Sequence, residues 1–185
     1  ITNEELESMW EWAVSNGYTG LANADNFPVI KVSWNDVVKW CNAKSEREGL
    51  TPFYTVNGTT YKTGESVPTV NSTANGYRLP SEKEWEWSAR GGVSSQGYTY
   101  SGSNDLNSVA WYSNNSGNGT KTVGTKAPNE LGIYDMSGNV WEWVWDWYAG
   151  DLSALTDDPR GPLSGERRVI RGGGSSGSPD SCGVA

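Results

Sequence analysis

Two carboxylates, Asp135 and Glu142, bracket the turn-prone segment Ser137-Gly138-Asn139. The carbonyls of Gly138 and Val140 lie between them in sequence, and glycine at 138 is free to take a conformation that other residues resist. Calcium accepts roughly six to eight oxygen ligands in flexible geometry, so carboxylates mixed with carbonyls suit it. Asp135, Gly138, Val140 and Glu142 are therefore candidate ligands for a structural calcium ion that ties a loop to the strand after it. The same residues admit a plainer role, with Asp135 capping a turn through its own backbone and Glu142 pairing with Arg90 or Arg171.

Catalytic chemistry is constrained more tightly. The chain has no histidine, which removes the usual general base, the Ser-His-Asp and Cys-His triads and imidazole metal sites. Its 2 cysteines, Cys41 and Cys182, permit at most one disulfide. Cys41 falls on the apolar face of a predicted helix. The neighbours of Cys182 (Asp180, Ser181 and Gly183) offer no positive charge to lower its pKa, so both read as packed structural thiols. A net charge of −8, from 14 basic and 22 acidic residues, argues against nucleic acid or an anionic membrane as partner and is compatible with cation binding. No apolar run approaches a membrane span. The chain begins at Ile1 with no visible signal peptide and is expected to be a trimmed product; cell surface, periplasm or extracellular space is the expected compartment.

Positioning these residues falls to a small set of elements. Trp141, Trp143, Trp145 and Trp147 recur every second residue, the period of an extended strand, with Glu142, Val144 and Asp146 on the other face. The tryptophan face is expected to be core. Residues 2–16 predict a helix capped by Thr2 or Asn3, with Glu4 and Glu5 in its first turn, Trp10 and Val14 as its buried stripe and Gly17 at its end. A second helix follows Ser33 or Asn35, with Trp34, Val37, Val38 and Cys41 on one face and Gly49 as the stop. Pro52–Lys62 reads as a hairpin about Asn57-Gly58. Ser81 and Glu84 have capping-box spacing for a third helix that turns Trp85 and Ala89 inward. Residues 63–76, 91–128 and 149–167 read as polar loops, Ala110–Tyr112 as a core anchor and RRVIRGG as a short buried strand. The length of 185 residues predicts one domain, and no repeat or linker divides it.

GIYDMSGNVWEW resembles the signature of the formylglycine-generating-enzyme (sulfatase-modifying-factor) family, whose members have a C-type-lectin-like fold. The resemblance continues in PVIKVSWNDVVKWCNAKS (Pro28–Ser45), YRLPSEKEWEWSARGG (Tyr77–Gly92) and RVIRGG (Arg168–Gly173), four motifs in the family's order. It implies an α+β, C-type-lectin-like fold with much irregular loop over residues 1–185, and it strengthens the calcium assignment. Family members normally continue to a further strand, so truncation after Ala185 is expected. Activity does not follow from the fold.

Formylglycine-generating members oxidise a cysteine of a partner protein with copper and oxygen, using a closely spaced cysteine pair after the last glycine motif. A soft cuprous ion wants two opposed thiolates. In RGGGSSGSPDSCGVA the second position falls on Cys182 and the first on Gly177, so the pair is broken. The resemblance therefore implies a non-catalytic member, the alternative being a copper-dependent oxidase that works with Cys182 alone. Ergothioneine-type sulfoxide synthases of the family use histidines and a further helical domain, which this sequence lacks. A further branch comprises ligand-binding proteins diversified by retroelements, mutagenised at asparagine codons in a C-terminal segment. Gly174, Ser175, Ser176, Gly177, Ser178, Pro179, Asp180 and Ser181 occupy that place, and each can be encoded by an asparagine codon altered at its adenines. The plainer reading is a short Gly/Ser loop. The resemblance points to a protein or carbohydrate ligand bound through this loop, with Trp and Tyr nearby.

Overall fold

Ser33 and Asp36 show how local sequence sets the first half of the chain. The Ser33 hydroxyl accepts a hydrogen bond from the Asp36 N–H at 3.2 Å, and the Asp36 carboxylate accepts one from the Ser33 N–H at 2.9 Å. This reciprocal cap satisfies two otherwise orphaned donors and opens a helix at Trp34. The computed structural model describes residues 3–20, 26–150 and 162–185, with side chains from Ser8 onward. It divides into two compact units, Ile1–Leu79 and Pro80–Ala185, a division that length and composition do not announce.

The first unit contains α1 (Asn3–Ser15), α2 (Trp34–Arg47), β1 (Tyr54–Val56), β2 (Thr59–Thr60) and β3 (Thr69–Val70), with the strands in antiparallel order β2-β1-β3. Gly17, with φ +84°, ends α1 as expected. The buried stripe of α1 differs from the expected one. Met9 and Ala13 are buried against Tyr18 and Ala43, with Trp12 packed beside them, whereas Trp10 and Val14 are 39% and 49% exposed. Both pairs satisfy i, i+4 spacing, but only the face carrying Ala13 is small enough to bring the backbone of α1 close to Ala43. In α2 the buried residues include Trp34, Val38 and Cys41, and Val37 lies at the edge of that face.

Asn57 and Gly58 both take positive φ, +51° and +75°, as the tight hairpin turn demands. The two-residue strand β3 lies within a segment read as loop, because a strand that short and exposed leaves no alternation to detect. Holding the hairpin to α2 is Asn42, with no solvent exposure. Its amide donates to the carbonyls of Tyr54 (2.8 Å) and Tyr61 (3.1 Å) and accepts from the Tyr54 N–H (3.0 Å).

The second unit contains α3 (Glu82–Ala89), α4 (Leu106–Val109), β4 (Glu142–Trp147) and β5 (Arg168–Arg171), with long irregular connections. The strands pair antiparallel, Glu142 opposite Arg171 and Trp143 opposite Ile170. Ser81 and Glu84 form the expected capping box of α3, and the buried carboxylate of Asp146 adds a second cap by accepting from the Glu82 N–H at 2.7 Å. Trp85, Ala89, Met136, Val144, Val169 and Val184 make one core cluster. Leu106, Ala110, Tyr112 and Cys182 make another, so Ala110–Tyr112 does anchor its loop.

The alternation of β4 is as read, but its polarity is reversed. Val144 is 0% and Asp146 4% exposed, while Trp143, Trp145 and Trp147 are only half-buried and Trp141 is 47% exposed. The tryptophan face is therefore not the core. Small Val144 fits against Trp85 and α3, whereas the indoles stack on the Arg168 guanidinium, 3.5 Å from the Trp147 ring centre and 5.0 Å from that of Trp145. Among the described residues, no helix is long and apolar enough to cross a membrane.

Replacing Asn42 by alanine leaves buried backbone groups of Tyr54 and Tyr61 unpaired. We expect a loss of about 3 kcal/mol in unfolding free energy, read as a lower urea midpoint.

Candidate functional site

The turn before β4 takes a conformation most residues avoid. Asp135, Gly138 and Asn139 have φ of +59°, +81° and +63°. At Gly138 the cause is close approach, since a Cβ there would lie 2.9 Å from the Trp111 nitrogen, and its carbonyl is closer still. Gly138 and Trp111 form a parallel bridge, the Asn139 N–H donates to the Trp111 carbonyl at 2.7 Å, and the Gly138 N–H donates to the Gly172 carbonyl at 2.7 Å. The buried Asn139 amide then clamps Lys121, accepting from its N–H at 3.0 Å and donating to its carbonyl at 3.1 Å.

The two carboxylates at either end of this turn sit in different surroundings. Glu142 accepts a hydrogen bond from the Trp85 indole N–H at 2.7 Å. Burial of its carboxyl, with the negative charge of Asp135 adding, pushes its pKa up from the ordinary 4.5 to about 7, the Trp85 bond opposing only in part. The arginine pairing admitted above is not found. Arg90 bonds Glu86 at 2.7 Å, and Arg171 lies 3.7 Å from Glu82 and over the Trp85 ring. Asp135 does not close a turn on its own backbone but accepts from the distant Gly124 N–H at 2.7 Å.

Among the described residues neither carboxylate is paired with a basic side chain; their hydrogen-bond partners are the Trp85 indole and the Gly124 N–H. Neither the Gly138 nor the Val140 carbonyl is taken up by a hydrogen bond among the described residues, which leaves both as free donors. No group of three or more acidic, cysteine or histidine side chains gathers among those residues, so a cation here would need these carbonyls as well. The donor set of hard oxygens fits calcium.

The loop Gly174–Ser181 lies beside this turn. Gly174 and Ser175, expected on the ligand surface, are buried. Gly174 lies under Trp141, whose Cδ1 would be 3.2 Å from a Cβ at 174; Ser175 donates its N–H to the Asn139 carbonyl at 2.8 Å and accepts from the Ser116 hydroxyl. Ser176, Ser178 and Asp180 are exposed, and Gly177, Pro179 and Ser181 are half-buried. Cys182 has no exposure, packs with Leu106, Ala110 and Tyr112, and has its pKa raised by burial, the Ser181 hydroxyl opposing. Cys41 is also free and buried, its thiol pushed up to about 12 by burial.

Sequence reading placed Asn139 in the turn and Trp111 in a core anchor but missed that the Asn139 amide and the Trp111 backbone fix the turn. The signal for Asn139 was its position after a glycine in a turn, since asparagine tolerates the left-handed region. Trp111 offers no such signal, because it acts through its main chain.

Residues 5–185 match the family model described as "Sulfatase-modifying factor enzyme 1-like domain". The chain is similar to "Chaperone protein LppX" of Paenibacillus barcinonensis, 40% identical over 79% of this chain and 61% of that protein. It is also similar to the formylglycine-generating enzyme of Thermomonospora curvata, 30% identical over 90% of this chain and 53% of that enzyme. The chain thus spans little more than half the length of these relatives. Among solved structures it resembles "Treponema denticola variable protein 1" with a TM-score of 0.78 and 34% identity, covering 97% of this chain and 73% of that one.

The raised pKa of Glu142 means that the folded chain binds its proton more tightly than the unfolded one. Its contribution to stability is therefore lost as pH rises from about 4.5 to about 7. In calcium-free buffer we expect the parent to lose about 3 kcal/mol relative to Glu142→Gln across that window, read by urea denaturation at each pH. Equal slopes in the two proteins would show that the carboxyl is not desolvated.

Proposed function

We propose that this chain, which belongs to the sulfatase-modifying factor enzyme 1-like domain family, is a non-catalytic, calcium-stabilised ligand-binding domain acting at the cell surface, in the periplasm or outside the cell. The observation that carries the reading is the state of its thiol. Cys182 is fully buried among apolar side chains, and its pKa is raised where a metal ligand or nucleophile needs it lowered. Gly177 stands where the family's oxidases place their other cysteine. A Cβ at 177 would lie 2.5 Å from the Ser181 hydroxyl oxygen and 3.0 Å from the Gly174 carbonyl, so the loop is packed around the missing side chain. One buried thiol does not fit a two-thiolate copper site.

Calcium would be held by the carboxylates of Asp135 and Glu142 and the carbonyls of Gly138 and Val140. It would neutralise the two carboxylates and fix the turn, with no part in bond chemistry. The ligand, a protein or a carbohydrate, would meet Ser176, Ser178 and Asp180, with exposed Trp141 beside them as an aromatic anchor. The likeness to a protein named as variable supports the further reading that this loop differs between copies of the gene, the mark of retroelement diversification.

The second reading, a copper-dependent oxidase acting on a partner's cysteine, is favoured by the relatives named as formylglycine-generating enzymes. Incubating a sulfatase-type cysteine peptide with this protein, copper(I) and oxygen separates the two by mass spectrometry. We expect no aldehyde while a two-cysteine family member converts the peptide in the same buffer. Aldehyde formation abolished by Cys182→Ser would establish the oxidase instead. Sequencing independent copies of the gene is expected to find substitutions concentrated at Ser176, Ser178 and Asp180, with Gly172, Gly173 and the buried Gly174 unchanged.

A further inference from the structure

The turn that offers oxygen donors to a cation is also the support on which the ligand loop rests. Gly138 donates its N–H to the Gly172 carbonyl at 2.7 Å, where the loop begins. The Asn139 carbonyl accepts from the Ser175 N–H at 2.8 Å, and the Ser137 hydroxyl donates to the Cys182 carbonyl at 2.8 Å, where the loop ends. Trp141 packs on Gly174 between them. Hydrogen bonds from the loop to the 113–118 segment lead back to the same place. Ser113 donates its N–H to the Gly177 carbonyl at 3.1 Å, and the Ser176 hydroxyl donates to the Asn118 carbonyl at 3.3 Å. That segment is pinned to the turn in its own right, through Trp111.

We infer that occupancy of the Asp135–Glu142 turn by a divalent cation orders the Gly174–Ser181 loop, so that cation and ligand binding are coupled. The inference rests on the calcium reading above. Residues that hold the loop (Ser137, Gly138, Asn139 and Trp141) interleave in sequence with the oxygen donors, and Gly138 serves both through its two backbone groups. Without a cation the turn holds two non-glycine residues, Asp135 and Asn139, at positive φ, a conformation that costs free energy to keep. A cation held by the oxygen donors of the turn stabilises the one turn conformation in which the Gly138 N–H, the Asn139 carbonyl and the Ser137 hydroxyl reach the loop. By linkage, whatever fixes the loop must tighten the cation by the same factor.

The test combines calcium chloride calorimetry with hydrogen-exchange mass spectrometry on the full chain. Calcium is expected to slow exchange at the Ser175 and Gly138 amides about fivefold or more, in step with calorimetric occupancy. The Tyr61 amide of the hairpin should not respond. Ser137→Ala and Gly174→Ala, each disturbing one attachment, should weaken calcium binding about fivefold; two are used because either alone could unfold the loop for other reasons. Calcium heat with unchanged Ser175 exchange would overturn the coupling and leave the calcium site standing. Absence of calcium heat would remove the site, and the inference with it.

Discussion

A side chain at residue 138 would have nowhere to go, and the organisation of the second unit follows from that. With no Cβ, the Gly138 backbone lies directly against Trp111 while its N–H reaches Gly172. Three distant stretches, around 111, 138 and 172, are thereby joined main chain to main chain. Such contacts hold whatever side chains the loops carry. The loop that exposes Ser176, Ser178 and Asp180 is thus carried on connections made by backbone groups.

The reversed polarity of β4 follows from the same economy. Tryptophan is the most apolar choice by size, yet a strand seated against α3 has room for valine beneath Trp85 and not for an indole. Putting the small residue and the carboxylates inward gives Asp146 a helix end to cap and brings Glu142 within reach of the Trp85 indole. The indoles, displaced outward, stack on Arg168 along the strand and leave Trp141 uncovered at its open end. The exposed aromatic beside the loop is thus a by-product of packing the carboxylates inward.

Much of this was legible in the sequence where the signal is local. The Ser33 and Ser81 caps, the Asn57-Gly58 turn, Gly17 and the inward faces of α2 and α3 depend on residues a few positions apart, and all stand as read. The stripe of α1 and the polarity of β4 were misread for a shared reason. Periodicity says which residues share a face, but which face turns inward depends on the partner's shape, here Ala43 in one case and Trp85 in the other. The candidate cation turn was legible by composition, and the buried half of the ligand loop was not. Gly174 and Ser175 resemble their exposed neighbours in type and differ only in being bound from below by Trp141, Asn139 and Ser116.

The two halves of that loop also bear on the fate of Cys182. The surroundings of this thiol give it a packing role. Cys182 fills space among Leu106, Ala110 and Tyr112, and its carbonyl receives the Ser137 hydroxyl from the turn. Gly173, with φ +78°, passes so close that a Cβ there would lie 3.0 Å from the sulfur. A small, weakly polar side chain is what such a site accepts, and a charged thiolate is what its desolvation resists. Cys182 closes the loop onto its core. Gly177, free of any such duty, leaves its space to the Ser181 hydroxyl, and the loop turns its exposed residues to solvent above a sealed thiol.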